Sequence, residues 1–360
     1  MKIGILTHYN VSSHGAILQM YALQEELKAN GHDVFILTYN RNLDFVDKDT
    51  KKRFSASIKN LPYYLSSYVG KDGVGCLFYQ RKKQKILERF KEKHFKMIPY
   101  TDSGILDCVI VGADEVFALE NGINIMMFGH CITAKRIIAY APSAGQTNMR
   151  RIEDYGCKEI IQSGLSRFNA LSARDNGTKM IIDELTGQDV PIVCDPALLY
   201  KFSHPNKYSK KKYIVVYSYQ SNFKDQDRIS KIKKYAKKNG CELWSVGVYY
   251  KWCDKQINCD PLEMISVFAN AEVVITDTFH GTITSYIAHT PMAVYVREDN
   301  NVKLDFLLKA IGIQDRKVNE HTQIDSILEQ EIDFDQIDKN VEAFRRDSHF
   351  YLEKALITEE

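Results

Sequence analysis

An open α/β fold with two parallel sheets is what this sequence predicts, and three observations carry the prediction. Short β-branched apolar runs alternate with segments of helical period from the first residues onward. The alternation stops at a polar, lysine-rich stretch, 201–212, and then begins again. The chain has 360 residues, 44% of them hydrophobic, which is too much for one small core and enough for two.

The elements follow in order. Lys2–His8 reads as the first strand. Gly15–Asn30 places Ile17, Leu18, Tyr21, Ala22 and Leu27 at three- and four-residue steps, a helix capped by Ser12 or Ser13 and stopped by Gly31. Asp33–Tyr39 is a second strand, and a strand–helix–strand unit this short implies parallel pairing. A basic, helix-rich insertion over 48–96 then interrupts the pattern. Strands resume at Asp107–Gly112, Arg136–Tyr140, Ala170–Arg174 and Val190–Asp195.

Beyond the linker, Tyr213–Tyr219 and Cys241–Val246 read as strands flanking a helix over Asp225–Lys238. A helix over Pro261–Asn270 leads to the strand Glu272–Ile275, a helix from Gly281, the strand Met292–Val296 and a helix over Val302–Ala310. An amphipathic helix, Phe334–Leu356, closes the chain. The expected division is a Rossmann-like domain over 1–200, a second over 201–333, and a terminal helical segment, 334–360, packing back on the first. Their parallel sheets would face a central cleft.

Charge narrows the partners. With 48 basic and 46 acidic residues the net charge is +2, which favours no nucleic acid. Its distribution is uneven: 48–96 holds 14 basic and 4 acidic residues. Such a segment suits anionic lipid or a diphosphate-linked acceptor, although Glu88 and Glu92 are also spaced to pair with its lysines on a solvated helix face. Eight cysteines without a Cys-x-x-Cys pair read as free thiols of a reducing compartment. The spacing of Cys253 and Cys259 fits no common zinc pattern, so no metal site is expected. No signal peptide and no transmembrane run is recognisable, and the expected location is cytoplasmic.

Chemistry is expected where loops leave the carboxyl ends of strands, because ligands of open α/β sheets bind there. The sharpest such loop is Thr276–Thr282, which puts His280 at a strand's end and a helix's start. Its neighbours Gly281 and Thr282 would offer helix-end amides to an anion, and a histidine can move protons near neutral pH. After the first strand, Asn10, His14 and Gly15 form a second candidate loop, with Gly15 allowing close backbone approach. Asp114 and Glu115 follow the strand Asp107–Gly112, and Asp114 is a candidate general base. Ser143 and Gly145 lie in a third loop, and Arg174 offers a planar fork for carboxylate or phosphate. Each has a plainer reading as a cap, a turn or a salt bridge.

Taken in order, these segments resemble the polysaccharide pyruvyl transferase family. The residues that carry the resemblance are Ile3–Thr7 with His14–Gln24, then Val109–Asp114, Leu171–Asp175, Val193–Leu199 and Ala271–Thr282. The resemblance implies a GT-B-like fold with its active site in the cleft between domains. It implies phosphoenolpyruvate as donor and a pyruvate ketal formed across two hydroxyls of a sugar. Arg174 would then hold the donor's carboxylate or phosphate, and His280 would lie beside the enol carbon as acid or phosphate ligand. Asp114 or Asp277 would accept hydroxyl protons, or Asp277 would orient His280. The route requires no metal or organic cofactor. The acceptor would be a lipid-linked oligosaccharide met at the inner face of the membrane, or a free or nucleotide-linked sugar.

Two departures stand out. Some members carry Arg-Leu-His where this chain has Thr278, Phe279 and His280, so Arg297 and Lys303 are candidates to supply the missing charge. Gly112–Phe117 likewise departs from a common Gly-Ser-Asp-Gln-Val-Trp pattern. A nucleotide-sugar glycosyltransferase, with Glu298 on the ribose, and a non-catalytic binding protein are the alternative readings.

Overall fold

The computed structural model describes residues 1–40, 73–203, 211–298, 300–319 and 324–357. The first half of the basic insertion and most of the linker lie outside the described residues. The N-terminal lobe is a five-stranded parallel sheet in the order β3-β2-β1-β4-β5. Its strands are β1 (Lys2–Leu6), β2 (Asp33–Thr38), β3 (Met97–Pro99), β4 (Leu106–Val111) and β5 (Ala134–Ala139). The C-terminal lobe is a six-stranded parallel sheet in the order β11-β10-β9-β6-β7-β8. Here the strands are β6 (Tyr213–Tyr217), β7 (Glu242–Val246), β8 (Lys255–Ile257), β9 (Val273–Thr276), β10 (Met292–Tyr295) and β11 (Lys317–Val318).

Helices cover both sheets. In the N-terminal lobe they are α1 (His14–Ala29), α2 (Gly73–His94), α3 (Met149–Asp154), α4 (Lys158–Leu165), α5 (Asn176–Thr186) and α6 (Pro196–Leu199). The C-terminal lobe carries α7 (Gln226–Lys238), α8 (Pro261–Ala269), α9 (Phe279–Ile287), α10 (Asn301–Ile311) and α11 (Ile324–Leu328). The expected helix over Gly15–Asn30 begins one residue earlier, with Ser13 accepting from the Ala16 N–H, and it ends before Gly31 at φ +81°.

Two expected strands are absent. Ala170–Arg174 and Val190–Asp195 make only isolated bridges beyond β5, Ile138 to Ala170 and Ala173 to Ile192. Two backbone bonds form at each bridge, Asn169 N–H to Ile137 O and Ala139 N–H to Ala170 O at one, Ala173 N–H to Pro191 O and Val193 N–H to Ala173 O at the other, and beside β5 side chains add to them. Asn169 Oδ1 accepts from the Ile137 N–H, while Ser172 Oγ donates to Ala139 O and accepts from the Ala141 N–H. Pro191 has no N–H to give.

The lobes share a core. Ile17 and Leu18 of α1 belong to the same buried cluster as Met264 and Phe268 of α8 and Ile283 of α9. Each fully buried side chain of this size contributes about 2 kcal/mol, so the seam is too apolar for free separation of the lobes. The last helix, α12 (Phe334–Leu356), spans both. Near its start Asp338 accepts from Tyr286 Oη at 2.9 Å, and near its end Tyr351 Oη donates to Ala139 O at 2.7 Å.

Candidate functional site

Each sheet has a point where the strand order reverses, between β1 and β4 in one lobe and between β6 and β9 in the other. Loops diverge there and leave a crevice. The two crevices meet in one cavity of about 580 Å³, bordered by the loops after β1, β4, β6, β9 and β10. His280, Arg174, Asp114, Asp277, Arg297, Lys303 and Asn10 all border it, so the fold gathers seven of the sequence candidates.

His280 stands in the first turn of α9. Thr278 caps that helix, its Oγ1 accepting from the Gly281 N–H at 2.9 Å. The cap takes the third-position donor and Thr282 N–H bonds to Thr278 O at 3.1 Å. Phe279 and His280 therefore carry the remaining first-turn amides, not Gly281 and Thr282 as expected from the sequence. Gly15 of the other lobe faces the imidazole. A Cβ added there would lie 2.6 Å from His280 Nδ1, so glycine is required for the histidine to sit where it does.

Behind His280 is a carboxylate, Asp195, that the sequence analysis left without a role in the site. Asp195 Oδ2 lies 3.5 Å from His280 Nε2, an ion-pair distance too long for a hydrogen bond, and 2.9 Å from Arg174 Nη1. Burial pushes the Asp195 carboxyl up, but His280 and Arg174 outweigh it and hold the group down at about 2. Arg174, itself 2% exposed, also approaches Asp114 at 3.6 Å and stacks over the Phe279 ring at 4.4 Å. Two atoms here, His280 Nε2 and Arg174 Nε, are buried and make no hydrogen bond.

The remaining charges pair in a definite pattern. Asp114, with φ +74°, projects into the cavity. Burial raises its pKa, while His280, Arg174 and His8 together bring it below the ordinary carboxylate value. Lys303 reaches across the cleft to Glu115, linking the lobes. Asp277 is fully enclosed: Ser218 Oγ donates to one oxygen, Arg297 Nη1 donates to the other at 3.1 Å, and Asn300 holds its carbonyl at 2.8 Å. Burial raises the Asp277 pKa despite Ser218 and Arg297. The carboxylate beside His280 is thus Asp195 and not Asp277, because β9 turns Asp277 toward β6 and β10.

Other candidates fall elsewhere. His14 is 1% exposed and donates from Nε2 to Cys259 O at 2.9 Å in the seam between lobes, away from the cavity. Ser143 is buried with its hydroxyl on Asp175 at 2.8 Å. Gly145 borders a small neighbouring depression with Asn300 and Lys303. Sequence reasoning missed His8, Tyr9, Tyr39 and Tyr219, which also border the cavity. Tyr9 and Tyr39 pack edge to face at 5.3 Å, an aromatic wall opposite the charged residues of the other lobe.

Comparison with solved structures agrees on architecture. The MnaA–UDP complex of S. aureus aligns over 100% of this chain and 99% of its own, at 10% identity and a TM-score of 0.50. The glycotransferase of kitacinnamycin matches 97% of this chain and 95% of its own at 13% identity and a TM-score of 0.48. The Methanocaldococcus jannaschii UDP-GlcNAc 2-epimerase matches at 12% identity and 0.44, over 96% of this chain and 100% of its own. At such identities the likeness concerns fold alone, and of these three only the MnaA–UDP complex, at 0.50, bears on it, in agreement with the GT-B-like fold expected from the sequence. Among curated proteins no relative is found at a significant level. The sequence pattern of Polysaccharide pyruvyl transferase, however, matches residues 14–300, a span that takes in α1, Asp114, Arg174 and His280. By that match, the chain belongs to the polysaccharide pyruvyl transferase family.

Proposed function

We propose that the protein transfers the enolpyruvyl unit of phosphoenolpyruvate to two hydroxyls of a sugar, forming a pyruvate ketal and releasing phosphate. The observation that carries this reading is His280 on the cavity wall, backed by Asp195 and flanked by Arg174, in a chain of this family. Protonated His280 gives its proton to the donor's methylene carbon, and C2 becomes electrophilic. One sugar hydroxyl adds to C2 and loses its proton. The second hydroxyl displaces phosphate, whose departure carries off the bonding pair, and its proton leaves with the phosphate.

The pairing pattern supports the other roles. Asp114 is ionised and opens on the cavity, so it takes the proton of the attacking hydroxyl, whereas Asp277 is occupied by Ser218 and Arg297. A donor with carboxylate and phosphate needs cations, yet among the described residues Arg174, Arg297 and Lys303 each already face a carboxylate. Breaking a buried pair such as Arg174–Asp195 costs about 3–5 kcal/mol, while a partly exposed one such as Lys303–Glu115 costs about 1 kcal/mol or less. The donor's anionic end therefore exchanges with Glu115 for Lys303. Arg174 stays pinned and contributes fixed positive charge. The Tyr9–Tyr39 wall supports the sugar by ring stacking.

Calorimetric titration with phosphoenolpyruvate tests this, with a panel of nucleotide sugars as comparison. The expected result is binding of phosphoenolpyruvate alone, weakened by Arg174→Ala, and no turnover in a folded His280→Ala variant. Binding of a nucleotide sugar without phosphoenolpyruvate would overturn the reading.

A further inference from the structure

The insertion helix α2 has two unlike faces. Its inner face is fixed to the C-terminal lobe: Tyr79 Oη donates to Ile257 O at 2.9 Å, and Lys83 Nζ, turned inward, donates to Gly247 O at 2.8 Å. Its outer face begins with Val74, Leu77 and Phe78, which are 61%, 40% and 70% exposed. Arg81, Lys82 and Lys85 continue the same stripe at three- and four-residue steps, all exposed. No acidic residue occurs between Gly73 and Leu87. Solvated helix faces of globular proteins mix both signs and seldom expose three large apolar residues together.

The position of the stripe gives it meaning. Its first turn lies against Tyr249, whose ring packs 5.7 Å from that of Tyr79. Tyr249 N–H donates to Gln220 Oε1 and Gln220 Nε2 donates to Tyr249 O, and the residue before Gln220, Tyr219, borders the cavity. The apolar and basic stripe therefore begins beside the rim of the cleft.

The geometry points to a membrane-docking surface on α2: Val74, Leu77 and Phe78 enter the headgroup boundary of an anionic bilayer, and Arg81, Lys82 and Lys85 meet its phosphates. An apolar cluster joined to a cationic face is the combination that holds a helix at a lipid surface, and neither part suffices alone. Docked so, the cleft rim lies at the bilayer surface. This inference concerns binding to lipid and is independent of the donor and the reaction.

Flotation of the full chain with vesicles tests it without any substrate. The wild type should float with vesicles containing phosphatidylglycerol, stay behind with phosphatidylcholine alone, and release at raised salt. Leu77→Ser with Phe78→Ser, and separately Lys82→Gln with Lys85→Gln, should each weaken binding on the order of tenfold or more. Arg150→Gln, at an exposed site on α3, should leave it unchanged. Failure to float with anionic vesicles, equal floating with both kinds, or floating that both double variants retain would overturn the proposal. So would a wild-type dimer that Phe78→Ser dissociates while no vesicle is bound, since the stripe would then serve a second copy.

Discussion

At the scale of residues, the site depends on two neighbours of His280 that do no chemistry themselves. Gly15→Ala inserts a methyl group where the imidazole lies, and a displacement of about 1 Å costs on the order of 100-fold in rate. Turnover of phosphoenolpyruvate should fall accordingly while the protein stays folded; a variant with the wild-type kcat would detach Gly15 from the mechanism. Asp195→Asn removes the negative charge beside the histidine and neutralises the partner of Arg174. The turnover number should fall on the order of tenfold or more while the KM for phosphoenolpyruvate changes little. A wild-type turnover number would reduce Asp195 to a helix cap. His280 was legible in the sequence because a strand, a short polar loop and a helix frame it. Asp195 was not, because the bridge from Ala173 to Ile192 and the turn into α6 bring it there from a distant part of the chain.

At the scale of elements, α9 is the piece that presents His280 to the cavity, and its amino end is set by one hydroxyl. Thr278→Ala leaves the Gly281 N–H without its acceptor inside a closed seam, at a cost of about 1 kcal/mol. Thermal unfolding should shift down by a few degrees, and threonine-to-serine at the same site should restore it. Equal melting of all three proteins would show the cap to be idle. The alternating elements were readable because each runs long enough to show its period. Strands β3, β8 and β11, of two or three residues, are too short to show one. The two expected strands that fail are apolar runs whose backbone pairing stops after two bonds each, with side-chain oxygens added beside β5.

At the scale of the whole molecule, the lobes meet through buried groups that titrate. Burial first, and Lys83 second, depress the His14 pKa to about 3 against an ordinary 6.5. The folded protein therefore keeps His14 neutral where the unfolded chain takes a proton, and stability falls as pH drops from 6.5 toward 3. His14→Gln retains a donor for Cys259 O without the titration. Its urea-unfolding free energy should lose on the order of 3 kcal/mol less than the wild type between neutrality and about pH 4. Parallel curves would place the acid sensitivity elsewhere. Whether a polar loop residue faces the cleft, as Asn10 does, or the seam, as His14 does, is decided by how the lobes dock, which no local pattern records. The contact of Gly15 with His280 bears on engineering. The imidazole belongs to one lobe and the space reserved for it to the other. Grafting a relative's second lobe onto this first one, to exchange one specificity and keep the other, would carry the histidine without its matching recess. Active chimeras should appear only where the opening of α1 and the start of α9 are inherited together.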